Sequence, residues 1–70
     1  MIPLVLADIN QEVVIKKILG TPEARLHIKE LGLVEASVVK IIAKSGDNLI
    51  IQVKETRLAI SSEIARKIYI

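Results

Sequence analysis

Cysteine is absent from this sequence, so neither a disulfide staple nor a thiolate metal site can be built from it. That fits a reducing compartment. Tryptophan and phenylalanine are missing as well, and Tyr69 is the one aromatic residue. Single-stranded nucleic-acid binders stack bases on aromatic platforms, and grooves for proline-rich peptides are lined with aromatic rings. Neither activity has support here. Glycine occurs only at Gly20, Gly32 and Gly46, far apart, which excludes a glycine-rich phosphate loop. No basic tract of five or more exists; Lys and Arg alternate with acids, as in "RLHIKE" and "VKETR", for a formal charge of +2. A nucleic-acid or membrane-surface footprint is therefore not expected. No apolar run approaches the ~20 residues that cross a bilayer. Asp8 also ends the N-terminal run too early for a signal peptide. The expectation is a soluble, cytoplasmic protein.

What the chain has in abundance is aliphatic side chain: 51% of its 70 residues are hydrophobic, nearly all Ile, Val and Leu. A chain this short forms one domain, residues 1–70, and buries only about 60% of the surface its unfolded form exposes. In "PLVLADINQ", Leu6 and Ile9 stand one helical turn apart, with Pro3 near the start. "EVVIKKIL" reads as a strand, in which the adjacent Lys16 and Lys17 spoil the alternation and suggest a bulge. "TPEARLHIKELG" is the best-marked helix. Thr21 is a good N-cap, Pro22 suits the first helical position, and Glu23 suits the positive end of the dipole. Ala24, Ile28 and Leu31 form its apolar stripe, and Gly32 can take the left-handed conformation that stops it. "SVVKIIAK" and "LIIQVKE" then read as strands joined by a turn at Ser45–Asn48. "TRLAI" adds a strand with Leu58 and Ile60 inward. "SSEIARK" adds one helical turn capped by Ser61 or Ser62, and "IYI" closes the chain as a strand. About five short strands and one helix imply a mainly β fold, and a sheet this small does best by curling into a barrel.

Catalytic equipment is scarce. The single His27 lies between Arg25 and Lys29 with no evident orienting carboxylate, although Glu23 and Glu30 sit at helical neighbour spacing. The serines lie in turns and caps, where their hydroxyls have structural roles. No ligand pair has recognisable metal spacing, and an adventitious cation at His27 is the one metal reading left. No enzyme activity, cofactor or resident metal is expected. What remains is a scaffold that acts by contact with another protein.

The order of these segments resembles the FeoA family, the small cytosolic component of ferrous-iron uptake systems. Leu6 and Ile9 match its opening L-x-x-L turn, "VVIKKILG" its glycine-ended strand, and "IKELGL" its helix ending in L-G-[LM]. In "TRLAISSEIARKIYI", the closing pattern falls on Leu58, Ala59, Ala65, Ile68 and Ile70. The chain departs where members usually carry glycine, near Gln11, Thr21, Ala36 and Glu55, and it has His27 where a helix arginine is common. Turns without glycine are expected to avoid positive φ. The resemblance implies an SH3-like β-barrel with one helix capping an open end. It further implies an accessory or regulatory role in ferrous-iron transport, exerted on the cytosolic portion of a FeoB-type permease. On this reading Leu31 plugs the barrel, Gly32 turns the chain into the next strand, and Leu33 and Val34 either join the core or offer a contact surface. His27 would join that contact surface, and Lys16, Lys17, Arg25 and Arg57 would rim it. A rival is service to a DtxR-type metal-dependent transcriptional regulator, whose C-terminal barrel is similar; a third is a small RNA-associated barrel. Self-association stays open, because an aliphatic strand edge can pair.

Overall fold

Helix α1, Pro22–Glu30, begins where its caps predict, in a computed structural model that describes all residues from Met1 to Ile70. The Ala24 N–H donates to the Thr21 Oγ1 at 3.1 Å, and Pro22 fills the first turn. The helix ends in a Schellman motif: the Gly32 N–H donates to the Lys29 carbonyl at 2.9 Å and the Leu33 N–H to the Ile28 carbonyl at 3.3 Å. Gly32 supplies the left-handed residue this requires, at φ +92°. The motif folds Leu33 back onto Ile28, and both are fully buried.

The rest of the chain forms six strands. They are β1 (Glu12–Val14), β2 (Lys17–Ile18), β3 (Val38–Ser45), β4 (Asn48–Val53), β5 (Thr56–Ser61) and β6 (Ile68–Tyr69). A four-stranded antiparallel sheet runs β1-β3-β4-β5, and β2 pairs with β6 in a second, two-stranded sheet. A short helix α2, Ser62–Ala65, follows β5, with Ser61 as its cap through a 3.2 Å bond from the Ile64 N–H. The Ile2 and Ile70 backbones exchange both hydrogen bonds, at 3.0 and 2.8 Å, so the two ends of the chain lie side by side.

The expected strand "EVVIKKIL" is two strands belonging to different sheets. The Ile15 N–H donates to the Ser37 carbonyl beside β3, whereas the next N–H, that of Lys16, donates to Tyr69 in β6. Lys16 and Lys17 therefore mark a crossing between sheets, and Ile15 at the crossing is fully buried. The one register shift falls in β3 instead, between Ile41 and Ala43. The N-terminal turn also differs from expectation. A 3-10 turn over Leu4–Leu6 buries Leu4 and leaves Leu6 66% exposed, with Ile9 exposed beyond it. Thirteen residues, all aliphatic, form the core, with Ile41, Ile51 and Ile68 at its centre. Leu31 packs against this core without being fully enclosed by it. It is half-buried at the end of α1, and Ile28 and Leu33 fill the space.

Candidate interaction surface

Strand alternation sets the outer face of the large sheet. Glu12, Lys40, Gln52 and Arg57 stand opposite one another across β1, β3, β4 and β5, forming a polar row. The neighbouring row begins with Val14 opposite Val38, which are 46% and 47% exposed. An open groove of about 480 Å³ lies over this corner of the sheet. Ala36 and Val38 contribute its exposed apolar surface, with the buried Val39 and Val53 also lining it; Glu12 and Glu35 are its acids, and Lys40 and Lys54 its bases. A smaller groove of about 180 Å³ shares Val53 and Lys54 and reaches Leu31, Gly32, Thr56 and Leu58.

The wall of the larger groove is the segment between α1 and β3. Three short bonds hold it: Ser37 N–H to the Val34 carbonyl at 3.1 Å, Ala36 N–H to Ile15 at 2.8 Å, and Ile15 N–H to Ser37 at 2.9 Å. They fix Ala36 in the left-handed region at φ +72°, although it has a side chain. The expectation that non-glycine turns avoid positive φ fails here. At the other departures the positive φ falls on a neighbour, at Asn10, Gly20 and Lys54. Lys54 is steadied by the Gln52 side-chain amide, which donates to its carbonyl at 3.2 Å.

The expected contact residues divide. Val34 is 40% exposed beside the groove wall, and Lys16 follows Ile15, which is bonded to that wall. Leu33 is 0% exposed, so the alternative that placed it in the core holds and its place on a contact surface is withdrawn. Arg57 ends the polar row and Arg25 and His27 stand exposed on α1, but none of these three, nor Lys16 or Val34, lines either groove. Lys17 is exposed in β2, outside both grooves. Sequence reasoning missed Val14, Val38, Lys40 and Glu12. The alternation in "SVVKI" carried the signal for Val38 and Lys40, since Val39 and Ile41 are the buried pair. No group of three or more His, Asp or Glu side chains gathers where it could hold a metal ion. No helix is long and apolar enough to cross a membrane.

The FeoA domain model matches residues 2–70. No curated protein matches the chain by sequence. Among solved structures, an iron uptake regulatory protein, FeoA, superposes with a TM-score of 0.87 at 25% identity, covering 96% of this chain and 89% of that one. A Stenotrophomonas maltophilia FeoA complexed with zinc, described as a prokaryotic SH3 domain protein, superposes with a TM-score of 0.84 at 24% identity, covering 99% and 88%. A manganese-dependent transcriptional repressor shares the fold alone, with a TM-score of 0.89 at 13% identity over 97% of this chain and 39% of that one. The fold is thus mainly β and SH3-like, as expected, although it is built as two sheets.

Proposed function

The chain belongs to the FeoA family, which is linked to ferrous-iron transport, and from that premise we propose that it is an accessory regulator acting by contact with the cytosolic portion of a FeoB-type permease. The observation that supports this reading most is the groove over β1, β3 and β4, with Val14, Val34 and Val38 exposed around it. A partner covering three half-exposed valines gains apolar burial, and the flanking charges of both signs give it register. On this reading Lys16, beside the groove wall, and Arg57, at the end of the polar row, would rim the surface, with Lys17, Arg25 and His27 as an outlying part of it.

The test is a pull-down of the folded chain with the permease's cytosolic region, with and without GTP. Val34→Asp and Val38→Asp place a carboxylate where apolar area should be covered, and each is expected to weaken binding at least about tenfold, equivalent to 1.4 kcal/mol. His27→Glu reverses charge on the outlying part and is expected to weaken it less. Binding untouched by all three variants, in protein whose melting curve is unchanged, would remove the proposal. The rival reading draws on the repressor's shared fold; capture by a DtxR-type regulator in place of the permease would favour it.

A further inference from the structure

The two edges of the large sheet are not alike. Strand β1 carries Glu12 and runs straight into Lys16 and Lys17, and the wall at Ala36–Ser37 bonds to the residue that follows it. Charges and covering loops of this kind keep an edge from pairing. Strand β5 has six residues, TRLAIS, with no proline, no bulge and one charge, Arg57. Its only partner is β4. Val53 and Thr56 close the β4–β5 hairpin over a two-residue turn, so Thr56, Leu58 and Ile60 turn their backbone groups toward β4. Arg57 and Ala59 consequently turn theirs outward, and both residues are exposed.

We propose that β5 pairs antiparallel with β5 of a second copy of this chain about a two-fold axis, joining the two sheets into one. The side chains select the register. Centring the axis on Arg57 sets two guanidiniums directly opposite each other, which opposes pairing. Centring it on Ala59 requires Ser61 to pair with Arg57, but Ser61 ends the strand as the cap of α2. Centring it on Leu58 meets neither obstacle. The outward backbone groups of Arg57 then bond those of Ala59 in the second copy, and the long arginine lies across a small alanine. The two Leu58 side chains meet on the inner face, where the 180 Å³ groove beside Leu58 has room for the incoming one. Such a contact is isologous and closes on itself, so it yields dimers and not fibres. β1 is at the far edge, leaving Val14, Val34 and Val38 free.

Sedimentation equilibrium of the whole chain between about 10 μM and 1 mM covers the range expected of a small interface. The mass should rise from monomer to dimer. Ala59→Pro removes an N–H used by no bond within one copy and should raise the dissociation constant about tenfold or more. A mass unmoved by that variant would show the copies meeting elsewhere and would overturn the proposal, as would monomer at every concentration. Because the chain lacks cysteine, Leu58→Cys gives a second reading should the proline variant melt early. Residues facing each other in a non-hydrogen-bonded pair have Cα atoms about 4.5 Å apart, within reach of a disulfide. Oxidised Leu58→Cys should cross-link well ahead of Ala59→Cys, whose residue faces Arg57 of the other copy. Equal rates would also overturn the register.

Discussion

Ala36 holds a backbone conformation that costs an alanine about 1–2 kcal/mol and a glycine almost nothing. Its φ of +72° is imposed by the bonds between Ile15 and the Ala36–Ser37 backbone, so the strain stays in the folded state. Ala36→Gly should therefore stabilise the protein by about 0.5–1 kcal/mol after the entropy of the unfolded glycine is subtracted. In a domain this small that is a rise of several degrees in Tm, readable by circular dichroism. A fall in Tm would show that the side chain gains more from its surroundings than its backbone loses. Gly32 is the converse case. A Cβ added there meets no atom within 4 Å, so Gly32→Ala tests the φ of +92° alone and should cost about 1–2 kcal/mol.

Single elements show what local chemistry can and cannot announce. Thr21→Ala deletes one capping bond of α1 and should cost about 1 kcal/mol in a denaturant titration, with the slope unchanged. Ile51→Ala opens a cavity at the centre of β4 and should cost about 2–5 kcal/mol. Leu31→Ala should cost less, because that side chain is only partly buried. The limits of α1 were legible because Thr21, Pro22 and Gly32 act on their immediate neighbours. The parting of β1 from β2 was not, because it depends on Ile15 and Lys16 finding partners far along the chain, at Ser37 and Tyr69. Leu33 sits between these cases: a Schellman ending sends the residue after its glycine inward, and the Leu-Gly-Leu spelling carries that signal. The groove was legible only as outward-pointing positions in separate strands. Nothing local to Glu12, Lys40 or Gln52 says that the three stand in one row.

At the scale of the whole molecule, stability is unevenly shared. β4 is paired along both sides and sends Leu49, Ile51 and Val53 into the core, whereas β2 and β6 pair over two residues each. Amide hydrogen exchange should therefore be slowest in β3 and β4 and much faster in β2 and β6. Uniform protection across both sheets would show them opening as one unit. Tyr69, in β6, makes its own fluorescence a reporter of the smaller sheet, and it should respond to mild denaturant before the far-ultraviolet signal does. The chain ends supply a mechanical corollary. Ile2 faces Ile70 and Pro3 faces Tyr69 in antiparallel fashion, so both tethering points leave from the same side. Tension applied there peels the bonds one after another instead of loading them together. In an optical trap, this protein should give way at low force, from its clasp inward.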